Sequence, residues 1–223
     1  MNRILFLNIF FHTLLFPINN KEKSIINFID ARYSGDTTFV GKMLSEGFTY
    51  EHIPFIGLNL LTEYDGGNLI VTGFLNEDTT QNQISIGDTI HEIDNSLIDS
   101  LNMPLYGPAD KPVKIVYTRN GDSTFSSTQL NLRLLKHSQN RVSFLEDIID
   151  YNDNWYEYDL EIIDIISKKS KIFVYYHWEG SKIEAGDIYH LFAMELIEQE
   201  KNSNLIKKIQ TLWSEKQFLD QFK

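Results

Sequence analysis

Two hydrophobic periods divide this chain. Near its start the spacing is helical: Ile25, Ile26, Ile29 and Ala31 form an apolar face after Asn20, and Ser34-Gly35 stops it. Asp36, Thr37 or Thr38 can cap a second predicted helix holding Phe39, Val40, Met43 and Leu44, which Gly47 ends; Phe48-Thr49-Tyr50-Glu51-His52 then reads as extended. A third helix is predicted over residues 143–151, burying Phe144, Leu145, Ile148 and Ile149. Beyond it the period is two. Tyr156, Tyr158, Leu160 and Ile162 alternate with Glu157, Asp159 and Glu161, and residues 172–178 are apolar or aromatic apart from His177. Ile188, His190, Phe192, Met194 and Leu196 share one strand face, residues 205–213 make a last strand, and 215–222 a closing helical turn.

Between these parts lies a stretch with its own punctuation. The β-branched run 68–74 follows the turn Asp65-Gly66-Gly67. The segment 84–95, ISIGDTIHEIDN, places Gly87-Asp88 before a short strand with Ile90 and Ile93, closed by Asp94-Asn95, a pair that tolerates the positive φ of a tight hairpin. The run 113–119 leads into Asn120-Gly121, after which Leu130, Leu132 and Leu134 alternate with Asn131 and Arg133. Pro54 and His137-Ser138-Gln139-Asn140 bound a small β-rich domain at 53–136. The flanks 19–52 and 137–223 are each incomplete alone, and strands this long, covered on one face by helices, predict a curved α+β sheet.

Composition narrows the function classes. A length of 223 residues allows one or two domains, and 42% hydrophobic residues supply a sizeable core. A net charge of −11 argues against nucleic acid as a partner, because phosphate neutralisation needs a basic face. The absence of cysteine excludes disulfides and thiol nucleophiles. Arg3 followed by the apolar run 4–16, broken by Asn8 and His12, has the length of a signal-peptide core and is short for a membrane span. Residues 1–18 therefore predict export to an extracytoplasmic location; the other reading is an apolar N-terminal helix packed on a cytoplasmic protein.

The middle stretch resembles a PDZ domain. The residues that carry the resemblance are Phe55-Ile56-Gly57-Leu58, the strand after Gly66-Gly67, the Gly87-Asp88 signature through Asn95, and the hairpin at Asn120-Gly121. It implies that an extended or C-terminal peptide adds as a strand, its carboxylate held by the 55–58 loop, with Phe55, Ile56, Gly57, Leu58, Asn59 and Leu60 as contact residues. A departure lies at 96–101, where Pro104 and Gly107-Pro108 leave room only for a short or distorted second helix on the groove's opposite wall. The flanks resemble a nuclear transport factor 2-like domain of the SnoaL-like group, carried by residues 26–36, 44–48, 207–213 and 218–221. That resemblance implies that 19–52 and 137–223 form one discontinuous α+β domain, a cone-shaped curved antiparallel sheet with helices interrupted by the 53–136 insert, with a pocket for a small apolar ligand, enzymes of isomerase, cyclase or dehydratase type, and homodimer pairing through the sheet face. In the steroid-isomerase branch the base position falls on His52, while the phenolic donor position falls on Phe28, which cannot donate; His190 is the candidate second polar group.

Tyr50, Tyr158, Tyr175 and His177 are the candidate pocket-lining residues. His177 and His190, with Glu195, could offer metal ligands, but their spacing is not diagnostic, so neither a metal nor a cofactor is assigned. Neither a Gly-x-Ser-x-Gly elbow nor a phosphate-binding glycine motif occurs. The leading expectation is a peptide-binding protein with the SnoaL-like part as scaffold; the alternative is an enzyme on a small apolar substrate with His52 as general base.

Overall fold

A computed structural model describes residues 18–76, 83–98, 107–119 and 122–213. The expected signal peptide, most of the expected second wall of the 53–136 domain and the closing turn at 215–222 lie outside these residues. Among the described residues no helix is long and apolar enough to cross a membrane. The chain divides into two compact units, one from the residues up to Tyr50 and from Gln139 onward, the other from Glu51 to Ser138.

The first unit opens with α1 (Asn20–Tyr33). Asn19 caps it by accepting from the backbone N–H groups of Lys21 and Glu22, while the Glu22 carboxylate accepts from the Asn19 backbone N–H, a reciprocal capping box. Its end uses Gly35 at φ +77°, with the Asp36 N–H bonding the Ala31 carbonyl at 2.9 Å. The Asp36 side chain then caps α2 (Thr37–Met43). This helix is shorter than expected: Leu44 already belongs to strand β1 (Leu44–Glu51), where Leu44 and Phe48 are buried in the core. A long side chain can enter the core from either geometry, so apolar spacing alone did not reveal the switch.

After β10 (Ser138–Asn140) and α3 (Arg141–Asp153) come β11 (Glu157–Lys168), β12 (Lys171–Ser181), β13 (Ile188–Gln199) and β14 (Ile206–Trp213). The sheet runs β10-β1-β14-β13-β12-β11, with β11 to β14 an antiparallel meander. A register shift at Ile162/Asp164 bends β11, and the result is a mixed α+β unit with a curved sheet and few helices. Ile25, Phe28 and Ile29 of α1 and Phe144 and Ile148 of α3 pack with Ile172, Val174, Tyr176, Trp178 and Ile197 of the sheet. Phe28 is therefore a core residue. The face of β13 that reads most apolar is not the buried one: Ile188, Phe192 and Met194 are exposed, whereas Ala193, Glu195 and Ile197 are buried. Both faces of that strand carry large side chains, so alternation could not say which one meets the helices.

The second unit pairs β2 (Phe55–Gly57) with β9 (Arg133–Leu135). Its six-stranded sheet takes β3 (Leu60–Asp65), β4 (Asn68–Phe74), β5 (Thr89–Ile93), β7 (Pro112–Thr118) and β8 (Phe125–Asn131) in that order, with β6 (Ser96–Leu97) paired to β5. Asp94 and Asn95 have φ of 49° and 62°, as a primed two-residue hairpin requires. Asp88 is buried; its carboxylate accepts from the Ser85 N–H at 2.8 Å and pairs with Arg119 at 3.3 Å. Leu58, Leu69, Ile90, Ile115 and Leu132 are among its core.

Candidate functional site

Register sorts the side chains of the first unit. In antiparallel pairs, directly opposed residues point to the same face. Tyr158 opposes Gly180, Leu160 opposes Trp178, and Tyr176 opposes Ala193, all on the helix-covered face. Tyr175 opposes Met194 and His177 opposes Phe192 on the other face. The four expected pocket-lining residues are thus split: Tyr50 and Tyr158 join the core side, Tyr175 and His177 do not. The odd and even positions of one strand cannot serve one pocket.

On the covered face the helices and strands assemble a buried polar cluster. Arg32, at the last turn of α1, sets Nη1 at 2.9 and 3.2 Å from the two oxygens of Glu195 on β13. Its Nη2 donates to the Tyr176 hydroxyl at 2.9 Å; that hydroxyl also lies 3.1 Å from Glu195 Oε1 and 2.9 Å from the Tyr33 hydroxyl. Burial works against the Arg32 charge, but the Glu195 carboxylate together with the surrounding tyrosine oxygens holds the guanidinium well above its ordinary value. Burial, reinforced by Glu195, raises Tyr176 and Tyr50 alike, so both stay protonated; burial also raises Tyr33, against the pull of Arg32. Tyr50 hydrogen-bonds the Thr211 side chain. No sequence rule pointed to Glu195 as an Arg32 partner, since the two are 163 positions apart.

Beside this cluster stands an aromatic group. The Tyr33 ring meets Tyr151 at 5.3 Å and Trp178 at 6.1 Å, and Trp178 meets Trp155 at 4.7 Å. Tyr189 packs on Trp155 at 5.7 Å and Lys182 Nζ stands over its ring. Two buried polar atoms here have no hydrogen-bond partner, Tyr151 Oη and Trp178 Nε1. At the rim, the Tyr158 hydroxyl approaches the exposed Asp30 carboxylate at 3.5 Å; burial and the neighbouring Asp30 charge push that phenol up to about 12.

The two expected catalytic histidines fall in different units. His52 belongs to the second unit, where its backbone N–H donates to the His137 carbonyl at 3.0 Å and its ring lies 4.7 Å from that of His137. His190 sits on the sheet face away from the core. Its Nδ1 lies 3.1 Å from His177 Nε2 and 3.4 Å from Glu179 Oε2. Glu195, considered beside them as a ligand, is on the opposite face and committed to Arg32. The carboxylate that does join the two histidines is Glu179.

The expected peptide-contact residues occupy the start of the second unit. Phe55 is exposed, Ile56 half-buried, and a Cβ on Gly57 would meet Leu135 Cδ1 and the Phe55 ring at 3.0 Å. Leu58 is core. Asn59, at φ 62°, is buried, its side chain bonding the Asn76 backbone in both directions. Leu60 opens β3, which lies at the edge of its sheet.

No protein-family model matches the chain, and no curated protein matches it in sequence. Among solved structures, the neighbours include proteins described as NTF2-like and SnoaL-like. An NTF2-like protein of unknown function from Cytophaga hutchinsonii is 9% identical with a TM-score of 0.41, covering 93% of this chain and 98% of its own. IdmH, a candidate polyketide cyclase from Streptomyces antibioticus, is 9% identical with a TM-score of 0.48, covering 92% of this chain and 99% of its own. A candidate SnoaL-like polyketide cyclase from Jannaschia sp. CCS1 is 6% identical with a TM-score of 0.39, covering 89% of each chain. None of these neighbours is evidence of an inserted PDZ-like domain.

Proposed function

We propose that the first unit receives a small, flat, largely apolar molecule bearing a carbonyl-type acceptor, and that its chemistry is of isomerase, cyclase or dehydratase type. The observation that carries this reading is the pair of buried donors without a partner, Tyr151 Oη and Trp178 Nε1, among four aromatic rings. A buried unpartnered donor costs free energy, and a ligand acceptor would recover it in a low-dielectric setting where hydrogen bonds are strong. Tyr151 is held protonated by burial, as a donor to a developing oxyanion must be. Asp30 supplies an exposed carboxylate as base at the rim, and Tyr158 a phenol as acid. His52 has no part in this assignment.

The test is titration of the full chain with 2-acetylnaphthalene, an aromatic ketone, read by tryptophan fluorescence. Saturable quenching that weakens roughly tenfold in Tyr151→Phe, the scale of one lost buried hydrogen bond, is expected. Unsaturable quenching, or equal affinity in Tyr151→Phe, overturns the reading.

A second reading rests on the unpaired edge of β3 in the other unit. An extended peptide adding along residues 60–65, with its C-terminus at the 55–58 turn, would complete that edge by strand addition. Hydrophobic peptides with a free carboxylate should then bind at least about tenfold more tightly than the same peptides amidated, since the loop N–H groups would lose their charged acceptor. Equal binding of the two forms, or none across a peptide library, rejects it.

A further inference from the structure

We infer that His177, Glu179 and His190 form a divalent transition-metal site, best suited to Zn2+, on the sheet face away from the core. The three ligand atoms lie within 4.8 Å of one another. The two separations within hydrogen-bonding range are 3.1 Å between His177 Nε2 and His190 Nδ1, and 3.4 Å between His190 Nδ1 and Glu179 Oε2. A tetrahedral ion bound at about 2.0–2.1 Å sets its ligand atoms roughly 3.3–3.4 Å apart, so two of the three edges already stand close to the lengths of such a site, and the third, within 4.8 Å, needs a side-chain adjustment. Two imidazoles and one carboxylate are a donor set that suits Zn2+.

The scaffold explains why this arrangement is stable before metal arrives. His177 and Glu179 are two apart on β12 and so share a face, and His190 directly opposes Glu179 on β13. The positions are set by ladder register in two long central strands. The His177 ring is stacked on Phe192 at 4.4 Å and 22°, and the two imidazoles are stacked at 5.3 Å and 9°. On the other side of β12, Glu161 opposes His177 and Asp159 opposes Glu179, both exposed. The patch thus holds three candidate ligands, His177, Glu179 and His190, beside two further carboxylates, Asp159 and Glu161, that add negative charge, and water can take the fourth position. Without a metal, His190 Nδ1 alone faces both His177 Nε2 and Glu179 Oε2, whereas a cation uses all three groups at once. The site is separate from the covered face on which the small-molecule reading rests.

The experiment uses the full chain, stripped with chelator and dialysed, titrated with Zn2+ by calorimetry and with Co2+ by visible absorption. One equivalent of Zn2+ and the intense bands of four-coordinate Co2+ are expected. His177→Gln and His190→Gln should each lower affinity at least about tenfold, and Glu179→Gln should lower it too, with circular dichroism unchanged because the side chains are on the surface. The double variant His52→Gln/His137→Gln, which removes the chain's other close histidine pair, should leave stoichiometry and affinity as they were. No binding, binding that survives His177→Gln undiminished, or loss in the His52/His137 variant instead overturns the assignment.

Discussion

Glu195→Ala is expected to destabilise the first unit by about 3–5 kcal/mol, the scale found when one partner of a buried ion pair is removed. Glu195 is 1% exposed and Arg32 7%. Without the carboxylate, the guanidinium stays charged in an apolar setting, and the Tyr176 hydroxyl loses an acceptor. Global stability of a domain is about 5–15 kcal/mol, so the loss is a large part of the whole. All three tryptophans, Trp155, Trp178 and Trp213, belong to the first unit, which makes urea unfolding followed by tryptophan fluorescence a report on that unit. The double variant Arg32→Met/Glu195→Leu supplies the control. It removes both charges together and should recover much of the loss, because desolvation of the pair offsets most of its Coulombic gain. Equal destabilisation in single and double variants would show that shape, not charge, sets the cost. An unchanged midpoint in Glu195→Ala would show that the pair is not buried in solution.

The second large effect is expected at Gly180. A Cβ there would stand 2.4 and 2.6 Å from the Cζ2 and Cη2 atoms of Trp178, and 3.1 Å from the Glu157 carbonyl oxygen. The indole lies along its own strand over the glycine and is itself 1% exposed, packed against Tyr33, Tyr151 and Trp155. It has no room to retreat. Gly180→Ala should cost about 1–3 kcal/mol by overpacking and shift the tryptophan emission. Trp178→Phe removes the atoms that clash, so the double variant should be milder than the sum of the singles, with a coupling of about 0.5–3 kcal/mol in a double-mutant cycle. Additive effects would mean that the added methyl meets the backbone and not the indole. Gly180→Ala would also disturb the proposed ligand contacts of Trp178, so weaker ketone binding should accompany the lost stability.

Much of the backbone layout was legible in residue order. Gly35 after Ser34, and Asp36, are local signals acting over a few residues, and they set the end of α1 and the start of α2. Asp94-Asn95 predicted a hairpin because their tolerance of positive φ is a property of the residues themselves. The alternation in 157–162 and the run 172–178 marked strands. Leu44, by contrast, fits a helical spacing yet begins β1, because strand pairing in the sheet outweighed a weak local preference.

The candidate site divides in the same way. His177 and His190 were recognisable as polar groups on neighbouring strands, but the carboxylate that joins them is Glu179 and not Glu195. That choice depends on which face each residue takes, and a period of two yields two faces without saying which is covered. The Arg32–Glu195 pair and the unpartnered Trp178 indole arise from contacts between residues far apart along the chain. From the residues alone came the three helices, the long strands, the Asp36 cap and the Asp94-Asn95 turn, the acidic charge and the exclusion of thiol chemistry, because each depends on nearby chemistry or on composition. Tertiary structure alone decided which face is buried and which donors and ligands meet, because strand register and helix packing act between segments whose order in the chain carries no distance information.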